Sequence, residues 1–204
     1  MRKGFDVRSL SSVLVTGLAG LIGAALAATA ALAQEKAPDR PLSVTYGPAA
    51  LPSEGDDDHR EEIVISVPDG GTEPLYLRVF DPDIGGAHDL IYGKPDTEAR
   101  YRLFGGPSGT LLAEKRFPPG SEEDDRFVPL ASFAPEDGEL IDGRRVFRLV
   151  VDAPAGDDAN LFSVAVSLRD HRNMEPPGIS IFSYNPTVRM PDKRSLAEMR
   201  FTIP

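Results

Sequence analysis

Carboxylates and glycines crowd one stretch of this sequence. Residues 81–89 read Asp-Pro-Asp-Ile-Gly-Gly-Ala-His-Asp, and Asp96-Thr97 follow shortly after. Calcium takes six to eight oxygens, largely from carboxylates and backbone carbonyls, and glycine lets a chain fold tightly enough to aim them. Asp81, Asp83 and Asp89 are therefore expected to meet around one calcium ion, with Asp96 closing the site from the next turn. The pattern is not an EF-hand, because the twelfth position counted from Asp81 is Tyr92, where a bidentate Glu is required. A second candidate calcium set is Asp152, Asp157, Asp158 and Asn160, between two strongly apolar stretches. For both sets the competing reading is turn chemistry, with Asp side chains capping backbone amides and Gly-Asp-Asp forming a hairpin connection. The runs Asp56-Asp57-Asp58 and Glu122-Glu123-Asp124-Asp125 read as solvated loops.

Other chemistries find less support. With no Cys in 204 residues there is no disulfide framework, thiolate nucleophile or Cys-ligated metal. His59, His88 and His171 are widely separated and no H-E-x-x-H occurs, which argues against zinc. His88 adjoins Asp89, but chain neighbours on a loop rarely adopt the orientation a catalytic base needs. Gly106-Pro107-Ser108-Gly109-Thr110 lacks the closing Gly of a nucleophile elbow. No catalytic residue is assigned. A net charge of -10 argues against nucleic acid as a partner. Without Trp, sugar stacking would fall to tyrosines; Tyr92, inside the acidic connection, is either such a platform or a residue that packs the loop down.

The elements that must carry these loops are strands. Apolar residues alternate with period two in EIVISV, PLYLRVFD, ARYRLF, TLLAEKRF, RRVFRLVVD, NLFSVAVSL, GISIFSY and EMRFTI, each bounded by Gly, Pro, Asp or Asn. Ile63, Ile65, Val67, Leu75, Leu77, Val79, Tyr101, Leu103, Phe147, Leu149, Val151, Phe162, Val164, Val166 and Leu168 are the inward set. A single turn near residues 193–197 is the one helical candidate. About eight strands without helices to cover parallel crossovers predict an all-β, antiparallel β-sandwich, jelly-roll or immunoglobulin-like.

The first residues are of another kind. Arg2, Lys3 and Arg8 precede an apolar run over 13–28 and the small residues Ala31-Leu32-Ala33, a signal peptide expected to be cut after Ala33. The alternative is a membrane-anchoring helix, since 10–33 holds no charge. Cleavage removes three basic residues and one Asp, taking the net charge from -10 to -12. Residues 34–60 then read as a Pro- and charge-rich leader, with a short strand over 42–46, and 61–204 as the sandwich domain. The mature chain is expected in the periplasm or outside the cell, with no stable membrane anchor.

LYLRVFDPDIGG, the following DT and YRLFGG, together with GDDANLFSVAVS, resemble secreted bacterial sandwich modules of the pre-peptidase C-terminal type. There an L-Y-x-x-V strand runs into an Asp- and Gly-bearing loop. The resemblance covers about 63–168 and implies a non-catalytic module, some members of which bind calcium and assist secretion, anchoring or attachment. This chain departs from the pattern in carrying no peptidase and in HRNMEPPGISIFSYNPTVRM, which has no counterpart. The expectation is thus a non-enzymatic, exported, calcium-binding module that meets a protein or polysaccharide. The alternatives are a polysaccharide-active or other hydrolase using loop carboxylates, and a purely structural envelope module.

Overall fold

The period-two segments become strands because alternating side chains give each one an apolar face, and that face is buried only when two sheets stack. The computed structural model describes residues 42–51, 59–120, 122–173, 175–183, 187–189 and 196–198. Contacts divide the chain into two units, Met1–Ala33 and Gln34–Pro204; every described residue belongs to the second, and the expected signal peptide lies outside the described residues. Twelve strands follow in order: β1 Leu42–Tyr46, β2 Arg60–Pro68, β3 Leu75–Phe80, β4 Ala99–Gly105, β5 Thr110–Phe117, β6 Phe127–Phe133, β7 Glu139–Ile141, β8 Arg144–Asp152, β9 Ala159–Ser167, β10 Ser180–Ser183, β11 Thr187–Arg189 and β12 Leu196–Glu198. Besides one short 3₁₀ turn at Pro135–Asp137 there is no helix among the described residues.

The expected all-β antiparallel sandwich is what forms, with more strands than the eight read from sequence. One sheet runs β12-β11-β1-β9-β3-β6 and the other β10-β2-β8-β4-β5, with β7 attached to β8. The core lies between them. Ile63, Leu149 and Leu103 form one cross-strand row of the second sheet, and Leu77 and Val166 pair in the first; all five are almost wholly buried. Tyr101 ties the sheets together, meeting Phe117 and Phe162 edge-on with ring centroids 5.6 Å apart in each case.

Several expectations change. The strand in the supposed leader, β1, is an integral member of the first sheet, paired with β9 from Ser43↔Phe162 to Tyr46↔Ala159. β6 escapes the sequence because Pro129 interrupts its pattern; Pro is tolerated there since β6 is the sheet edge. Leu168, expected inward, lies one residue past the end of β9 and is 41% exposed. Leu196 and Ala197, in the expected helical turn, are in β12. Of the EMRFTI segment only Glu198 is among the described residues, and Asp56-Asp57-Asp58 is not.

β9 departs most from simple alternation, being buried at all nine positions. Phe162, Val164 and Val166 face the central core, while Ala159 and Leu161 join Leu42, Val44, Tyr46 and Phe80 in a second apolar cluster on the other side of the sheet. Leu90, from the connection between β3 and β4, packs onto that cluster. The acidic loop therefore covers an apolar sheet face.

Leu149, fully buried at the centre, is expected to cost about 2–5 kcal/mol on replacement by Ala. The same change at Leu140, 54% exposed on β7, is expected to cost under about 0.5 kcal/mol. Urea denaturation of the two variants checks the contrast.

Candidate metal centre

The chain leaves β3 through Asp81, which takes a left-handed φ of 54°, a region that Asp and Asn enter more readily than most side chains. Its amide still donates to the Arg126 carbonyl, 3.0 Å, so the β3–β6 pairing persists past the strand. Asp89 then ties the loop to β9: one carboxylate oxygen accepts the Leu161 N–H at 2.7 Å, the other that of Gly85 at 2.8 Å. Leu90 and Ala159 exchange backbone hydrogen bonds beside it.

The connection between β5 and β6 closes over this loop. Gly120 donates to the Ile84 carbonyl at 3.0 Å, Glu123 donates its N–H to one Asp83 oxygen at 3.0 Å, and His88 Nε2 stands 2.5 Å from Asp125 Oδ1. Asp124 reaches furthest in. Its carboxyl sits where a side chain on Gly86 would be, 2.0 Å from an ideal Cβ, so only glycine permits the approach. The acids at 122–125, expected to be a solvated loop, thus place Asp124 beside Asp81, Asp83 and Asp89. Nothing local in the sequence signals this, because the partners lie about forty residues away.

Burial sets the electrostatics. Asp81, Asp83 and Asp89 are all almost fully shielded from solvent. No protein donor reaches either Asp81 oxygen or Asp83 Oδ1. What stands beside Asp81 is the Asp124 carboxyl, and two carboxyls bond only by sharing a proton. Burial pushes the Asp81 carboxyl up to about 10, with Asp89, Asp124 and Asp83 adding repulsion. Asp89 is pushed up to about 7 by burial, against the lowering effect of the Leu161 and Gly85 amides. Burial also raises Asp83, opposed by the Glu123 amide.

Asp96 is not part of this group. It joins Asp157 and Asp158, with one oxygen of each residue lying within 4.8 Å of the others. Asp158 is buried and pins the loop to the start of β9, accepting the N–H of Tyr92 at 2.9 Å on one oxygen and that of Asp96 at 3.0 Å on the other. Asp157 is half-buried and Asp96 exposed, so this triad opens to solvent. Gly156, at φ 92°, passes so close to Thr97 that a Cβ would fall 1.9 Å from its hydroxyl. The four carboxyls of the first group are not drawn to within 4.8 Å of one another as this triad is; what marks the group is that both Asp81 oxygens and Asp83 Oδ1 are buried without a donor.

The second expected set also separates. Asp152 stands opposite Arg100 on the outer face of β8, takes a bidentate bond from it at 2.8 and 2.7 Å, and takes a third from Arg102 at 2.7 Å. Burial alone would raise Asp152, but the two guanidiniums hold it below the usual carboxylate range. It is a neutralised ion pair and stands apart from Asp157 and Asp158. Asn160 turns into the interior instead, donating to the Tyr101 hydroxyl at 2.8 Å beside the Pro82 carbonyl, with its own Oδ1 buried and unpartnered. It therefore backs the Asp81–Asp83 corner, not the Asp157 turn. Tyr92 is 36% exposed, and its backbone, not its ring, makes the contact with Asp158.

Elsewhere the sequence motifs stay apart. His88 turns from Asp89 to Asp125, and Ser108 lies in the β4–β5 turn closed by Gly109 N–H to Gly106 O at 3.1 Å. A groove of about 480 Å³ on the outer face of the second sheet is lined by Glu62, Phe104, Glu139 and Arg148. Glu62 there is paired with Arg60 at 3.3 Å and Arg148 at 3.7 Å.

The raised carboxyls fix a pH dependence. In metal-free buffer the folded chain keeps protons on Asp81 and Asp89 that the unfolded chain releases near the ordinary value of 3.8. The folded state binds more protons, so this contribution to stability is complete below about pH 4 and is lost as pH rises through 7 and towards 10. Melting temperature in metal-free buffer is expected to fall from pH 5 to pH 9, and Asp81→Asn is expected to flatten the fall; a rise over that range would contradict it. No known family model, curated protein or solved structure matches the chain, so what these loops do is argued from their own geometry.

Proposed function

We propose that this chain is an exported, non-catalytic β-sandwich module that binds calcium in the loops at one end and meets a protein or polysaccharide in the periplasm or outside the cell. The observation that carries the reading is the convergence of Asp96, Asp157 and Asp158 from the β3–β4 and β8–β9 connections. An all-oxygen donor set, with neither Cys nor His in it, suits a hard cation, and a partly open site leaves room for the waters and carbonyls that complete calcium's shell. The export-type leader agrees, because extracellular modules can use weak calcium sites where the ion is abundant. The resemblance of the β3–β4 region to pre-peptidase C-terminal modules points the same way. The ion would offset repulsion in a chain of net charge -10 and hold the longest connection against β9.

The experiment is a thermal melt of the exported protein after chelation, with and without added calcium. At a hundredfold excess over Kd one ion adds about 2.7 kcal/mol, a rise of roughly 5–10 °C for a domain of this size. Replacing Asp96 and Asp157 together by Asn is expected to shrink that rise. A melting temperature indifferent to calcium, or a rise untouched by the double substitution, would overturn the reading.

A further inference from the structure

The outer face of the second sheet has no function in that reading. We propose that this face docks an acidic, uronate-bearing polysaccharide, with Arg148 as the anchor for a sugar carboxylate. The proposal rests on the polysaccharide-meeting part of the reading above and not on the calcium.

Charge is the first observation. In a chain of net charge -10, the outward positions of this sheet carry more cations than anions. Arg60, Asp152, Arg100 and Arg116 form one cross-strand row, and Glu62, Val150, Arg102 and Glu114 the next. The acids are shared: Asp152 answers to both Arg100 and Arg102, and Glu62 lies 3.3 Å from Arg60 and 3.7 Å from Arg148. Arg144 bonds only neutral acceptors, the Ser66 hydroxyl and the carbonyls of Ser66 and Gly178. With Glu139 of β7 counted, six arginines meet four carboxylates on this face, a surplus of two. An anionic polymer is repelled by the acidic loops and finds its favourable field here.

The second observation is a row of side chains. Phe182, Val64, Arg148, Phe104 and Leu111 stand opposite one another across five strands, about 19 Å at the usual strand spacing. Leu111 and Phe182, at its two ends, are exposed. The groove of about 480 Å³ follows the stretch built by Val64, Arg148 and Phe104, beside the turn over 105–109. Apolar side chains on either side of one cation match a sugar chain, whose rings offer C–H faces and whose acid groups recur along it. Glu139 lines the same groove, has no ion pair among the described residues, and can accept from sugar hydroxyls.

The third is the state of Arg148. Its guanidinium lies over the Phe104 ring, 5.3 Å from the centroid, and that of Arg102 is 5.9 Å from the same ring. Stacking holds the planar fork in place and uses none of its N–H groups. Its separation from Glu62 exceeds hydrogen-bond length, and Arg148 makes no hydrogen bond among the described residues. Its donors are therefore on offer to a carboxylate in the bidentate geometry Arg favours. An acidic protein would meet the same charges, but a stable protein interface buries about 800 Å² per partner around an apolar centre, and the centre of this row is a cation.

Protein purified after expression of the full chain is titrated calorimetrically with polygalacturonate in the presence of chelator, its methyl ester and polyglutamate being the comparisons. Binding to polygalacturonate is expected without calcium, weakened by salt and by esterification. Arg148→Gln is expected to weaken it at least about tenfold through loss of a charge-assisted pair. Leu111→Glu, at an exposed end of the row, is a second probe should Arg148→Gln misfold, far-UV circular dichroism reporting the fold of each. Absence of binding to polygalacturonate, or binding indifferent to these substitutions, refutes the proposal. Polyglutamate bound as tightly replaces the sugar with an acidic protein and refutes it too. Binding that requires calcium and disappears when Asp96 and Asp157 are both replaced by Asn moves the sugar to the calcium site, against this face. Binding kept by a chain whose melting temperature ignores calcium sustains this face while the calcium reading falls.

Discussion

The two-sided burial of β9 governs the rest of the molecule. One face closes the central core through Phe162, Val164 and Val166; the other presents Ala159 and Leu161 with Leu42, Val44, Tyr46 and Phe80. A second apolar face on one strand needs a second cover, and the long connection after β3 supplies it through Leu90. Covering a sheet with a loop brings backbone amides out of water, and those amides need acceptors. Asp89 and Asp158 are those acceptors, each taking two backbone N–H groups at the entry of β9. The acidity of this end follows from how the sheet is covered.

Among the described residues, the buried carboxylates of β8 and of these loops accordingly have three fates. Asp152 on β8 is matched by two guanidiniums and is electrically closed. Asp89 and Asp158 are matched by amide dipoles. Asp81 is matched by neither, and it lies next to other carboxyls. Amide dipoles can stabilise one buried charge at a time, but they do not cancel the repulsion among several. That residue of uncompensated charge is what a cation or shared protons must absorb, and it distinguishes this end from the outer face of the second sheet, where Arg and Glu alternate in pairs.

Much of the sandwich was legible. β1, β5 and β8 coincide with the segments read from alternation, and the inward set from Ile63 to Val166 is the observed core. The missed β6 has a plain cause. β6 contains a proline that only an edge position tolerates, and whether a strand lies at an edge is a matter of sheet order. Of the candidate site, one short loop does hold Asp81, Asp83 and Asp89 near enough to repel one another, but it does not draw them to a common ligand distance. Asp96 and Asp124 exchanged roles because each answers to a partner distant in the chain.

By itself the sequence determined the class of fold, the buried faces of its strands and the loops in which acids would collect, since period two and turn residues act over a few neighbouring positions. Tertiary structure decided which acids share a site. Register set Asp152 opposite Arg100, and the packing of two connections brought Asp124 over Gly86. Burial, which turns a run of carboxylates from solvated charge into a demand for a counter-ion, is a property of everything packed around them, and no window of sequence contains it.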